Sequence, residues 1–381
     1  MKRLLFGLFL IILIIPLSVK GLNEKELVSS NTTSAILLEE STGKILYSKE
    51  IHKKVPVASL TKMVAQIIIL ENIEQKKIKW DDVVTVSKNA SDMGGSQIYL
   101  QYQEKMTVRD LFKGISMASA NDATVAMAEY IAGSEEKFVK KMNNKVKKLG
   151  LKDTNFKNAT GLDEENHYST AYDIAMIARE LLTHKDILSF SGQYEDYLRK
   201  DTPNKFWLVN TNKLIRFYDK ADGLKTGHTD NAKYCIAATA KRDDLRLIAI
   251  ILGAEKPKIR NQEATNLLDY GFNNTKYQVL YKKNKPIKKV KITNGSKKYL
   301  HVLPKYDVII VYTKSEKKKG INTTIKMKKI KLPIKKNQVV GTLIIKSNKK
   351  VINKIPLKAK ENIHKLSFIK IIINNLKSLV Y

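Results

Sequence analysis

The sequence predicts an α+β fold: an antiparallel sheet flanked by helices with an all-helical lobe, then a small all-β domain and a C-terminal amphipathic helix. Three observations predict it. Apolar strand patterns stand at both ends of a helical middle, so one sheet is assembled from two distant stretches of chain and covered by helices. Beyond about residue 276 the pattern changes to two-residue alternation with no helix-length period. The last stretch, "LSFIKIIINNLKSLVY", sets Phe368, Ile369, Ile372, Ile373, Leu376, Leu379 and Val380 on one helical arc and Lys370, Asn374, Lys377 and Ser378 on the other. The boundaries expected are a leader at 1–21, a first domain at 22–275, a lysine-rich β domain at 276–360 and the tail helix at 361–381.

In chain order, "MKRLLFGLFLIILIIPLSVKG" has Lys2 and Arg3 before an uncharged apolar run, the layout of a secretory signal, so the bulk of the chain is expected outside the cytoplasm. Val19-Lys20-Gly21 is an indifferent cleavage site, which leaves an uncleaved anchor as the alternative. "SAILLEESTGKILYSKE" reads as two strands about the turn Ser41-Thr42-Gly43-Lys44. "SLTKMVAQIIILENIEQ" is a helix behind Pro56 with Ser59 at its start, and its near-continuous apolar run implies burial on most sides. "TVRDLFKGISM" begins with a Thr-x-x-Asp capping pattern, and "DATVAMAEYIAG" closes on Gly133.

Residues 134–215 read as mostly helical, with a loop at "NATGLDEENHYSTAYD". "GLKTGHT", "KYCIAATA" and "LRLIAIILGA" then read as consecutive antiparallel strands. The tail helix is too short and interrupted to span a bilayer; the choices are a helix lying in a membrane interface or one packed on the protein itself.

The formal charge is +32, and 276–360 holds 26 lysines, no arginine and two acids, Asp307 and Glu316. For an exported chain the polyanions within reach are lipid head groups and acidic wall polymers rather than nucleic acid. Evenly spread lysine without arginine or aromatic interleaving also reads as a merely solvated surface. The single Cys235, in an apolar run, excludes an internal disulfide and reads as a buried, inert thiol. The six histidines lie far apart, without metal-ligand spacing, which argues against a zinc peptidase, and no cofactor is expected.

Ser59-x-x-Lys62 can bring an amine to a hydroxyl, because residues i and i+3 share a helix face. That amine is a base only when neutral, which burial and a second cation favour. Ser-x-x-Lys also occurs at Ser41/Lys44, Ser134/Lys137, Ser315/Lys318 and Ser347/Lys350, so the pattern alone is uninformative. Lys225, in Lys225-Thr226-Gly227, is the candidate second cation, and Gly227 suggests a bare strand edge on which an extended peptide can pair. Between these motifs stands Ser119-Ala120-Asn121 at a break between helices, where short polar residues are often mere caps.

Taken in order, Ser59-x-x-Lys62, Ser119-x-Asn121 and Lys225-Thr226-Gly227 resemble the three active-site motifs shared by penicillin-binding proteins and class A β-lactamases. "SDMGGSQIYL", "SANDATVAMAEYIAG", "LKDTNFKNATGLDEENHYSTAYDIA", "DGLKTGHT" and "NQVVGTLIIK" resemble the low-molecular-mass penicillin-binding proteins that act as D-alanyl-D-alanine carboxypeptidases, essentially over the whole chain.

That resemblance implies the β-lactamase/DD-peptidase-like fold and a serine peptidase that removes the terminal D-alanine of peptidoglycan pentapeptides and is acylated by β-lactams. It implies Ser59 as nucleophile, Lys62 as general base, and Ser119 with Asn121 relaying a proton and holding the substrate amide. Lys225 would supply positive potential, Gly227 the substrate-binding strand, and Thr226, His228 and Arg260 the grip on the terminal carboxylate. Backbone N–H groups of Ser59 and His228 would stabilise the oxyanion. The setting implied is the extracytoplasmic face of a bacterial membrane, reached through the tail helix. The alternatives are a β-lactamase of the same fold, with Glu164 or Glu165 driving deacylation, and a non-catalytic basic wall- or lipid-binding protein.

Overall fold

The computed structural model describes residues 27–313, 320–347, 350–367 and 369–370. The expected leader lies outside the described residues, as does most of the expected tail helix; its start at 361 is corrected, because residues 361–367 are not helical and join the β domain, Ile363 bridging to Ile334 and Lys365 to Gly295, while residues 369 and 370 are helical. The first part runs β1 (Ser34–Glu39), β2 (Ile45–Lys49), a 3-10 turn (Ala58–Thr61), α1 (Lys62–Glu74), β3 (Val83–Thr85), α2 (Lys88–Ser91), β4 (Lys105–Thr107), α3 (Val108–Met117), α4 (Asn121–Ala132) and α5 (Glu135–Lys148). It continues with α6 (Ala171–Leu181), α7 (Ile187–Ser191), β5 (Glu195–Leu198), β6 (Phe206–Val209), α8 (Leu214–Phe217), β7 (Ala221–Thr229), β8 (Lys233–Arg242), β9 (Leu245–Ala254) and α9 (Pro257–Asn274).

One antiparallel sheet has the order β2-β1-β9-β8-β7, so strands from the two ends of this part do share a sheet and β7 lies at its edge. Alternation divides its side chains. Ile36, Leu38, Ile250 and Leu252 enter the core shared with α1, α3 and α4, while Ala35, Leu37, Ala249 and Ile251 meet Ala264, Leu267 and Leu268 of α9. Helix α1 is buried from Lys62 through Leu70, as its all-round apolar sequence requires. Each fully buried isoleucine there contributes on the order of 2 kcal/mol.

The capping signals hold: the Thr107 side chain accepts from Asp110 N at the start of α3, and Gly133 ends α4 at φ +82°. Three of the Ser-x-x-Lys decoys have structural explanations. Ser134 caps α5 by accepting from Lys137 N, Ser41 and Lys44 flank the β1–β2 turn, and Ser315/Lys318 lies outside the described residues. The expectation of a mostly helical 134–215 is corrected: β5 and β6 form a hairpin there, and loops fill much of the rest. Tyr197 pairs across it with Trp207, the aromatic cross-strand pairing that favours strands.

The second part adds β10 (Thr275–Tyr281), β11 (Lys288–Lys291), β12 (Tyr299–Pro304), β13 (Val308–Thr313), β14 (Ile321–Met327), β15 (Val339–Ser347) and β16 (Lys350–Ala359). A five-stranded sheet, β11-β12-β16-β15-β14, lies against the β10–β13 pair. Leu300, Val302, Leu343, Ile345 and Leu357 of the sheet meet Val308 and Ile310 of the pair. A further decoy, Ser347 with Lys350, closes the β15–β16 hairpin. Lys282 Nζ reaches Asp244 of the first part at 2.8 Å. Among the described residues no helix is long and apolar enough to cross a membrane.

Candidate active site

The 3-10 geometry of Ala58–Thr61 eclipses side chains three apart, so Lys62 stands over Ser59. Lys62 Nζ donates to Ser59 Oγ at 2.8 Å and to the Thr160 carbonyl at 2.6 Å. Ser59 is half-buried, whereas Lys62 is 0 % exposed. Burial, reinforced by the charge of Lys225, holds the Lys62 amine well below its usual range, against a smaller opposing pull from Asp122. Ala58 carries a positive φ of 47° just before the serine, backbone strain of the kind found at reactive turns.

Two glycines let neighbouring chain approach this turn. A Cβ at Gly161, where φ is +85°, would lie 2.0 Å from Ala58 O. A Cβ at Gly227 would lie 3.0 Å from both Ala58 Cβ and Ser59 N. The bare Cα at 227 therefore faces the serine turn, not an incoming chain as the sequence suggested; β7 still offers an edge because no strand among the described residues pairs with its outer side. The loop carrying Gly161 is shaped by Asn158, whose Oδ1 accepts from Gly161 N at 2.7 Å and turns the Thr160 carbonyl toward Lys62.

Asn121 opens α4, its N–H bonded to Ser96 O and its Nδ2 to Gly94 O, each at 2.7 Å. Ser119 has φ +63°, and its buried Oγ finds no partner among the described residues. On β7, Lys225 is 1 % exposed and its Nζ donates to Thr226 O at 3.0 Å. Burial and then the charge of Arg260 bring Lys225 down to about 7. Thr226 Oγ1 donates to Thr211 Oγ1 at 2.7 Å. The exposed His228 ring stacks on Tyr234, centroids 4.2 Å apart.

A cleft of about 340 Å³ is lined by Ser59, Gly95, Ser96, Asn121, Thr160, Gly161, Leu162, His228 and Thr229. Of the residues expected from sequence, Ser59, Asn121 and His228 line it, while Lys62 sits beneath in contact with Ser59. Lys225 and Arg260 act electrically from buried positions, the second from the first turn of α9. Glu164 and Glu165 line a neighbouring cavity of about 250 Å³ that shares Gly161 and Leu162 but not Ser59.

Sequence reasoning missed Thr160, Thr211 and His167. Buried His167 bonds Thr61 Oγ1 through Nε2 at 2.8 Å and accepts from Lys157 N through Nδ1 at 3.2 Å, tying the loop to the serine turn. Desolvation lowers it from 6.5 to about 4. The Asn158–Gly161 spacing was a readable turn signal, but nothing marked His167. Glu71, Glu180 and His184 also gather, with Lys145 Nζ bridging the two carboxylates at 2.7 Å each.

A serine bonded to a buried lysine, beside an edge strand of a sheet between helical layers, is an arrangement suited to forming an acyl-serine on a bound extended peptide. Models of the D-alanyl-D-alanine carboxypeptidase family and of the penicillin-binding protein 5 C-terminal domain match residues 21–256 and 276–365. The chain belongs to the D-alanyl-D-alanine carboxypeptidase family and joins that peptidase domain to the all-β C-terminal one.

It is 46 % identical over 375 residues to D-alanyl-D-alanine carboxypeptidase DacF of Bacillus subtilis, covering 97 % of this chain and 96 % of that one. Its fold is similar to penicillin-binding protein 5 from Haemophilus influenzae, with TM-score 0.68, 28 % identity and coverage of 88 % and 98 %. It is also similar to ampicillin-bound penicillin-binding protein D2 from Listeria monocytogenes, with TM-score 0.58, 31 % identity and coverage of 64 % and 98 %. The family is one of serine carboxypeptidases, which favours this reading over a β-lactamase or a non-catalytic binder.

Proposed function

We propose that Ser59 attacks the carbonyl between the two D-alanines of a peptidoglycan stem peptide, passing its proton to a neutral Lys62 amine as the acyl-enzyme forms. Ser119 returns the proton to the leaving D-alanine and Asn121 holds the substrate amide. The peptide lies along β7, with Gly227 keeping the strand close to Ser59 and the N–H groups of Ser59 and His228 receiving the oxyanion. Thr226, His228 and Arg260 bind the terminal carboxylate, aided by the potential of Lys225. Water then releases the shortened peptide, so the cell wall loses donors for cross-linking.

The observation that carries this reading is the 2.8 Å contact between Ser59 Oγ and an amine held far below its usual pKa. β-Lactams acylate the same serine. Glu164 and Glu165 lie across the Gly161–Leu162 wall from it, so we expect slow release of the penicilloyl group. The protein acts outside the cytoplasmic membrane: 1–21 directs export, 22–275 is catalytic, the basic β domain runs from 276 through the bridged residues Ile363 and Lys365, and the amphipathic stretch after it lies in the membrane interface. The test is D-alanine release from a D-Ala-D-Ala peptide, which Ser59→Ala must abolish; retained release would overturn the assignment.

A further inference from the structure

The positive charge is segregated, not spread. Residues 22–275 carry 37 basic and 34 acidic side chains, whereas 276–360 carry 26 lysines against two acids. The first region holds 30 lysines in 254 residues and the second 26 in 85, so in the second lysine is both denser and almost without compensating acids.

Register places part of that charge on one surface. In the five-stranded sheet Leu343, Ile345, Leu357 and Ala359 point into the core, so their alternates point outward. Thr342 lies opposite Lys326 and Pro356; Ile344 lies opposite Lys354; Asn322 lies opposite Lys346; and Leu303 lies opposite Lys358. At the far edge Lys289 is opposite His301, with its Nζ 3.9 Å from the Tyr299 ring centroid. Five strands at about 4.8 Å spacing make a face roughly 20 Å wide. Among the described residues the acid beside it is Glu361, already bonded to His301.

We propose that this outward face binds a linear polyphosphodiester, the acidic polymer of a cell wall. Lysine ammonium groups on several adjacent strands suit a flexible chain of separate charges, because each meets one phosphate without imposing a planar fork. Reading of nucleobases needs aromatic platforms, and Tyr299 is capped by Lys289. A bilayer is a poorer partner for the face. The described chain leaves the domain at the β11–β12 turn, where Leu366 N donates to Asn294 O, so the end of the sheet and not its face adjoins the tail. The inference rests on the proposed export, and the surface would hold the enzyme within the wall while the cleft works on peptide.

The test uses the full chain and fluorescein-labelled poly(glycerol phosphate), followed by anisotropy. With four lysines each neutralising a phosphate, affinity falls about 50-fold between roughly 50 and 200 mM salt. The quadruple variant Lys326→Gln, Lys346→Gln, Lys354→Gln, Lys358→Gln loses at least tenfold in affinity at low salt. A charge-matched control at exposed positions of the first part, Lys53→Gln, Lys77→Gln, Lys105→Gln, Lys152→Gln, stays within twofold. Oligothymidylate with the same number of phosphates, and vesicles of equal parts phosphatidylglycerol and phosphatidylcholine, bind more weakly than the polymer.

Equal loss in the control variant overturns the proposal, since net charge would then explain binding. Thymidylate or vesicles held as tightly as the polymer overturn it too. Penicillin acylation, measured on the same samples, reports that the face variant is folded and is expected unchanged, so failure of binding and failure of the catalytic assignment are read separately.

Discussion

Replacing Gly161 with alanine probes how closely the loop and the serine turn must meet. The new methyl carbon would lie 2.0 Å from Ala58 O and 3.0 Å from Ser59 N. Carbon and oxygen in ordinary contact stand about 3.3 Å apart, so the two backbones must separate by about 1.3 Å. That stretches the 2.6 Å bond from Lys62 Nζ to Thr160 O beyond hydrogen-bonding range. Displacement by about 1 Å at a reacting group costs roughly a hundredfold in rate. Alanine at φ +85° adds about 1–2 kcal/mol of destabilisation.

Stopped-flow acylation by a fluorescent penicillin should therefore slow about a hundredfold in Gly161→Ala. Gly150→Ala is the control: its φ is +77° but nothing lies within 4 Å of the added carbon, so it loses stability without losing rate. Acylation of Gly161→Ala within threefold of the parent, or equal slowing in Gly150→Ala, would refute the reasoning.

Lys62→Met should slow acylation by roughly a thousandfold while raising thermal stability, because it removes a buried amine whose protonation the unfolded chain favours; a lower melting temperature in the variant would contradict this. Lys225 loses its cation as pH rises through about 7, so KM for a D-alanyl-terminated peptide should climb above that pH. A KM flat from pH 6 to 9 would exclude a part for Lys225 in carboxylate binding. His167 is neutral in the fold down to about 4, whereas an unfolded histidine takes up a proton near 6.5. Its contribution, up to about 3 kcal/mol, is present above 6.5 and lost as pH falls to about 4. His167→Gln, able to keep both hydrogen bonds, should flatten that slope in urea titrations.

Much of the architecture was legible because its signals are local. Alternation gave the strands, Thr107 and Gly133 gave helix ends, and apolar residues all round α1 announced its burial. The β5–β6 hairpin was missed because its strands are four residues each and rest on one another rather than on a long apolar pattern. Within the site, Ser59 and Lys62 are three apart and readable, and the Lys225 charge that depresses Lys62 could be suspected from chemistry. Thr160 and His167 were not readable. The first acts through its backbone carbonyl, which any residue has, and the second bonds a side chain 106 positions away. Gly227 was noticed for a bare edge, while its packing against Ser59 N depends on a contact between distant segments.

The most direct test of the central claim is mass spectrometry of the protein after brief exposure to penicillin, with peptide mapping of the adduct. One penicilloyl group is expected, on the peptide containing Ser59, appearing more slowly as pH falls and Lys62 gains a proton. An adduct on any other residue, or labelling that persists in Ser59→Ala, would contradict that claim.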